Sequence, residues 1–191
     1  MTKKETRTIY KAKRNALHAS QKAKMDDLML IHFQQLPIRI PASIMTYAAH
    51  EAFNEFDPQY ITDYCYFRNP GQVLYYPVMK DNDELSCVIV NDNTNFAASR
   101  YGITEPVDGL AGDPEEVDLV LVPLLAFDQY GFRVGYGKGY YDRFLKECRD
   151  DVLKIGFSYF EAVDMIDDVN AFDVKMDYCI TPQQVYSFNE E

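Results

Sequence analysis

Between Gly131 and Leu145 the chain reads GFRVGYGKGYYDRFL, setting Arg133, Lys138 and Asp142 among four glycines and three tyrosines. Gly135, Gly137 and Gly139 allow backbone with positive φ and let N–H groups approach a ligand with no Cβ in the way. Arg133 and Lys138 supply charge-assisted hydrogen bonds. Exposed N–H groups ahead of a helix, joined by such cations, attract anions, and a phosphate suits the set. The spacing is neither standard phosphate loop. G-x-x-x-x-G-K-[ST] fails because Gly139 follows Lys138, and G-x-G-x-x-G fails because Tyr140 stands at the last position. A tight turn made by glycines alone is the competing reading, and the adjacent Arg, Lys and Asp weigh against it. Asp142 repels a phosphate unless a cation lies between them, so a magnesium ion bridging carboxylate and phosphate oxygens resolves the conflict. An acidic side chain favourable at a helix N-terminus is the alternative. Magnesium commonly takes one or two carboxylates, and Asp177, ahead of the strand-like YCIT, is a candidate for the second.

These residues need elements to hold them. DLVLVPLLAF from Asp118 is a continuous apolar run, the mark of a central strand covered on both faces. A helix begins near Tyr140 with Tyr141, Phe144, Leu145 and Cys148 as its buried stripe, and LKIGFS (Leu153 to Ser158) returns as a strand. Upstream, SIMTYAA (Ser43 to Ala49), QVLYYPV (Gln72 to Val78) and LSCVIV (Leu85 to Val90) read as strands, the last two separated by the turn Lys80-Asp81-Asn82-Asp83. Asp57-Pro58 caps a helix running to about Arg68, and Ser20 offers an N-cap for one through Met25, Leu28, Met29 and Phe33. At about 100° per residue, Lys3, Arg7, Lys11 and Arg14 form one stripe of an N-terminal helix. Ile9, Ala12 and Ala16 lie opposite, which predicts an apolar face on the body and four cations turned outward. The alternation of strands and helices predicts an α/β domain of three layers, with a Rossmann-like, largely parallel sheet and helices on both faces. Ligands are expected at the carboxyl ends of its strands.

At 191 residues the chain suits one domain over its whole length. No apolar run approaches the roughly 20 residues that span a bilayer, and MTKKETRTIYKAKR has no apolar stretch behind its charges, so a cytoplasmic location is expected. Cys65, Cys87, Cys148 and Cys179 contain no C-x-x-C pair and the three histidines are scattered, which disfavours a transition-metal centre and suits reduced thiols. A net charge of −11 disfavours nucleic acid as a partner.

The stretch VPLLAFDQYGFRVGYGKGYYDRFL resembles the signature of the 5-formyltetrahydrofolate cyclo-ligase family, also called 5,10-methenyltetrahydrofolate synthetases. Matching positions are Phe127, Asp128, Arg133, Gly135, Gly137, Lys138, Gly139, Tyr140, Tyr141 and Asp142. Lys3, Arg7 and Arg14 have the spacing of the family's N-terminal basic residues. Tyr47 with Glu55 looks like its Y…E segment, YGITEP (Tyr101 to Pro106) like its G-I-x-E-P, and Asp177 like its late aspartate. The chain departs in a longer Tyr47 to Glu55 interval, with Glu51 as a competing acid, and in Thr181-Pro182 where many relatives carry T-E.

What the resemblance implies is an ATP-dependent, magnesium-requiring ligase acting on a folate. The nucleotide would be held by Lys3, Arg7, Arg133 and the run Gly135, Tyr136, Gly137, Lys138, Gly139, Tyr140, Tyr141 and Asp142, with Lys11 left facing solvent. Lys138, Arg133 and Tyr140 are the expected catalytic residues, and Arg133 is expected near the rim of the triphosphate. Tyr47, Glu55, Phe127 and Tyr140 would meet the folate, core packing being the alternative for Phe127. Asp142 and Asp177 would hold the metal. A monomer with no membrane or nucleic-acid partner is expected. A sugar-phosphate isomerase, which needs no ATP, and a nucleotide- or folate-binding protein without turnover are the competing functions.

Overall fold

The structure, a computed structural model, describes residues 1–81, 84–99 and 102–189. Tyr101 of the YGITEP segment and Asn82 and Asp83 of the expected turn lie outside the described residues. In chain order the elements are α1 (Lys3–Asn15), α2 (Ala19–Gln34), β1 (Ser43–Met45), α3 (Gln59–Arg68), β2 (Val73–Met79), β3 (Leu85–Val90), β4 (Phe96–Ala98), β5 (Thr104–Pro106) and β6 (Leu110–Ala111). After them come β7 (Leu119–Val122), β8 (Ala126–Phe127), β9 (Arg133–Val134), α4 (Tyr140–Leu145), β10 (Leu153–Phe157), β11 (Tyr178–Ile180) and β12 (Val185–Ser187). Short 3₁₀ turns span Glu51–Phe53 and Pro114–Glu116.

Among the described residues the main sheet has eight strands in the order β12, β11, β10, β7, β1, β2, β3, β6. Its five central strands, β11, β10, β7, β1 and β2, run parallel, and β12, β3 and β6 add antiparallel edges. The expected largely parallel α/β sheet is therefore present, and alternation along its strands explains the layers. Ile44, Leu119, Leu121 and Ile155 point to one face, where Met29 and Phe33 of α2 and Ile61 and Cys65 of α3 cover them. Met45, Val120 and Val122 point to the other, against Phe144 and Leu145 of α4.

Boundaries differ from the sequence reading at several points. β1 ends at Met45 instead of Ala49. The apolar run from Asp118 is divided at Pro123, which cannot donate a ladder bond: β7 stops at Val122, and Leu125 donates to Val134 at 2.8 Å as the chain enters the β8–β9 hairpin. Helix α2 starts one residue before Ser20, with His18 at the cap position and the Gln21 side chain accepting from its N–H. The cap position of α3 is Pro58 instead of Asp57, whose Oδ1 still accepts from Gln59 N at 3.0 Å. Cys65 and Cys87 are buried and Cys148 partly so, and burial pushes their thiols up to about 12, about 11 and about 12. No helix among the described residues is long and apolar enough to cross a membrane.

The largest correction concerns α1. Its stripe is real but faces inward: Arg14 is 4% exposed, Thr6 and Tyr10 are buried, and Ile9 points outward at 40%. Lys11 is half-buried, its Nζ 5.5 Å from the Phe53 ring centroid and 5.4 Å from that of Tyr136, in cation–π range. The apolar Ile9 and Ala12 side, predicted to pack on the body, is exposed. A capping box formed by Thr2 and Glu5 starts the helix. Asp168 accepting from Lys3 N ties it to the late loop.

Candidate active site

A cavity of about 420 Å³ opens at the carboxyl ends of β1, β2 and β7, where Tyr47, Met79 and Pro123 line it. Ligands were expected at that edge. The glycine segment forms one wall. In the β8–β9 turn, the buried Asp128 accepts from Tyr130 N and Phe132 N at 3.0 Å each, which pins the hairpin that launches the loop from Gly135 to Gly139. Gly137 has φ +94° and Gly139, at the cap of α4, φ +69°, conformations that L side chains resist. A Cβ on Gly137 would also stand 3.0 Å from Arg7 Nη2. Arg7 itself donates from Nε to Gly135 O at 2.8 Å, so α1 and the loop are fastened together through the residues expected to hold phosphate. Gly137→Ala should therefore lower stability by about 1–2 kcal/mol, whereas Gly135→Ala, whose Cβ meets nothing within 4 Å among the described residues, should not. Thermal unfolding of the two variants side by side measures the contrast, and equal midpoints would contradict it.

Charges are arranged in pairs around this loop. Arg133 lines the cavity and is only 9% exposed: its Nη1 donates to Val174 O at 2.8 Å and its Nη2 to Asp142 Oδ1 at 3.0 Å. Burial depresses its pKa, and the Asp142 carboxylate works against that. Lys3 Nζ pairs with Asp173 at 2.5 Å. Lys138 is exposed and has no ion-pair partner among the described residues. Tyr141 lines the cavity with its hydroxyl buried and without a hydrogen-bond partner among the described residues, and burial raises its pKa well above the ordinary phenol value. An orphaned buried hydroxyl is the polar atom a ligand would satisfy.

The opposite wall comes from the segment after β1. Asn54, at φ +52°, reverses the chain after the 3₁₀ turn, so that the Glu55 carboxylate comes back to accept from His50 N at 2.7 Å. Its other oxygen accepts from Tyr136 OH, which in turn accepts from Arg14 Nη2. Burial, then the Glu55 charge, raise the Tyr136 pKa. Arg14 also donates to Phe53 O at 2.7 Å and Leu124 O at 3.1 Å. Between the two candidate acids, Glu55 is buried in the cavity wall and Glu51 is exposed outside it. Tyr47 contributes its ring, its hydroxyl donating to Phe56 O at 3.3 Å.

The structure thus brings together Lys3, Arg7, Tyr47, Glu55, Arg133, Gly135, Tyr136, Gly137, Lys138, Gly139, Tyr140, Tyr141 and Asp142. It leaves out Phe127 and Asp177. Phe127 is fully buried against Tyr186 and Phe188, a core residue. Asp177 precedes a parallel strand and so lies at its amino end, where its carboxylate accepts from Lys154 N at 2.7 Å and pairs with Lys154 Nζ at 2.9 Å. Sequence reasoning missed Asp173, which has no motif around it, and gave no task to Glu105, which does.

The sequence profile of the 5-formyltetrahydrofolate cyclo-ligase family matches residues 1–182. The chain belongs to that family. Its similarity to the cyclo-ligase of Escherichia coli strain K12 is 25% identity over 187 residues, 94% of this chain and 100% of that one. Identity is 38% over 72 residues with the Mycoplasma pneumoniae cyclo-ligase, 37% of this chain and 43% of that protein. With the mitochondrial cyclo-ligase of Arabidopsis thaliana it is 36% over 101 residues, 48% and 36% of the two chains. The chain thus spans less than half the length of these last two relatives. Among solved structures, the 5,10-methenyltetrahydrofolate synthetase of Aquifex aeolicus superimposes with a TM-score of 0.81 at 27% identity, over 100% of this chain and 95% of that one. The synthetase of Mycoplasma pneumoniae shares the fold, with a TM-score of 0.72 at 24% identity over 95% and 99%.

Proposed function

We propose that the chain closes 5-formyltetrahydrofolate to 5,10-methenyltetrahydrofolate at the expense of ATP, releasing ADP and phosphate. The N5-formyl group is amide-like, and its oxygen is a poor leaving group. Transfer of the γ-phosphoryl group to that oxygen breaks the bond to the β,γ-bridging oxygen of ATP and yields an activated imidate phosphate. N10 attacks the formyl carbon and loses its proton to solvent, and phosphate departs with the C–O electron pair as the ring closes. Protein work in such a transfer is positioning and charge neutralisation.

In this reading Lys138 and the loop N–H groups hold the triphosphate, with Lys3 and Arg7 closing from α1. The observation that carries it is the meeting of α1 and the glycine loop over one cavity that also contains the unsatisfied Tyr141 hydroxyl. Phosphate would compete with Asp173 for Lys3. Arg133, buried and bonded to Asp142, acts as a positioning residue for that carboxylate. Tyr140 stands where phosphate and folate meet, and Tyr47 and Glu55 form the folate wall.

The donor set suits magnesium brought in on the nucleotide. Among the described residues no three His, Cys, Asp or Glu side chains gather as a cage, and Mg²⁺ usually keeps waters and phosphate oxygens beside one or two carboxylates. Asp142 and Asp173, both in the cavity wall, are the residues that would hold it. When bound, the ion supplies neutralisation of phosphate charge.

Mixing the protein with 5-formyltetrahydrofolate, ATP and Mg²⁺ should produce methenyl absorbance that is absent when ATP is omitted. Folded protein that produces none, or that produces it without ATP, would refute the reaction.

A further inference from the structure

The G-I-x-E-P segment places Glu105 in the wall of the same cavity. Its side chain is 9% exposed, and Oε1 accepts from Met79 N at 3.1 Å. The same cavity wall includes the apolar Pro77, Met79, Leu85 and Ile103. Among the described residues no cation pairs with this carboxylate, and burial raises its pKa above the ordinary glutamate value, the Met79 N–H opposing the shift in part. A carboxylate left this way in an apolar wall is costly unless a ligand donor meets its free oxygen. Glu55 is not equivalent, since both its oxygens already accept from Tyr136 and His50.

We infer that Glu105 determines specificity by accepting a hydrogen bond through Oε2 from the amino-bearing edge of a planar heteroaromatic ring, whose faces pack on Pro77, Met79, Leu85 and Ile103. The inference rests on the proposed reaction, because both of its reactants bring such an edge: the 2-amino group of the pterin and the 6-amino group of adenine. A ring of this kind presents apolar faces and a polar rim, which is the pattern of the wall.

Glu105→Gln separates the roles of the two oxygens. Met79 N requires an acceptor, so the amide oxygen stays there and the NH₂ group turns to the cavity, replacing acceptor with donor. One reactant's KM and dissociation constant should rise at least ~10-fold, the loss typical of one charged hydrogen bond, with kcat little changed and the other reactant unaffected. A rise for 5-formyltetrahydrofolate assigns the pterin, and a rise for ATP assigns adenine. The same comparison on wild-type protein needs no variant to fold: 2-desamino-5-formyltetrahydrofolate and purine riboside triphosphate, each lacking one amino group, are titrated calorimetrically against their parents. The analogue in the assigned arm should bind at least ~10-fold more weakly. Unchanged dissociation constants for both analogues overturn the inference. Wild-type protein that binds both parents and discriminates one analogue, yet shows no turnover, would sink the reaction and leave Glu105's role standing.

Discussion

Arg14→Ala should lower folding stability by about 3–5 kcal/mol and the thermal midpoint by about 6–20 °C for a chain of this length. The guanidinium donates to Phe53 O, Leu124 O and Tyr136 OH from a position 4% exposed, and its Nη2 lies 3.9 Å from Glu55 Oε1. Truncation leaves the buried Leu124 carbonyl and the part-buried Phe53 carbonyl short of a donor, and a buried carboxylate without its compensating charge. The penalty lies mainly in those abandoned partners, not in the ion pair itself. An exposed pair such as Arg149 with Asp118, at 40% and 36% side-chain exposure, sets the contrast, since pairs of that kind contribute about 0–1 kcal/mol. Arg14→Lys keeps the charge but cannot span three acceptors in a plane, so it should fall between wild type and alanine. Differential scanning calorimetry reads all three proteins, and an Arg14→Ala midpoint within ~2 °C of wild type, less than one kcal/mol of change, would show that the network carries no such load.

Arg14 also marks the boundary of what the sequence discloses. The angular spacing of Lys3, Arg7, Lys11 and Arg14 on one face of α1 is arithmetic, and the structure obeys it. Which side meets the protein is not arithmetic. The rule that charge faces water fails here because this body gathers acceptors and acids, namely Gly135 O, Phe53 O, Glu55 and Asp173, where the helix lands. The parallel strands were legible because a strand covered on both faces has no polar alternation, as Leu119 to Val122 lacks it. Short edge pairs such as β4 with β5 and β8 with β9 carry too few residues to set a period. Asp173 and Asp177 are four positions apart in similar surroundings, and only the fold decides between them. The chain crosses Lys3 before entering β11, so Asp173 reaches the cavity and Asp177 is held by Lys154 at the strand's amino end. Phe127 was drawn into the site by its place in a motif. Its part in that motif is to pack the hairpin that carries the loop.

Lys138→Ala should reduce kcat/KM at least ~10-fold, and by about 10²–10³ if the contact strengthens as charge moves onto the transferring group. The neighbouring cations are already engaged. Lys3 is engaged by Asp173, Arg133 by Asp142 and Val174 O, Arg7 by Gly135 O, and Arg14 by three acceptors. In the proposed reaction, each would offer a triphosphate only what remains after an existing bond is shared or broken. Lys138 stands exposed in the loop with no such tie among the described residues, so its ammonium would meet phosphate without first giving up a partner. The same exposure separates function from folding: the variant's thermal midpoint should match wild type, as surface substitutions usually do. Screening supplies a second reading, because the KM for ATP should climb with salt in the wild-type protein and climb less steeply once this charge is gone. Lys138→Arg should recover part of the loss, since charge is restored while the compact ammonium is not. Unaltered kinetics in a folded Lys138→Ala protein would remove the residue from the mechanism and shift the burden to Lys3 and Arg7, whose bonds to Asp173 and Gly135 O would then have to open in every turnover.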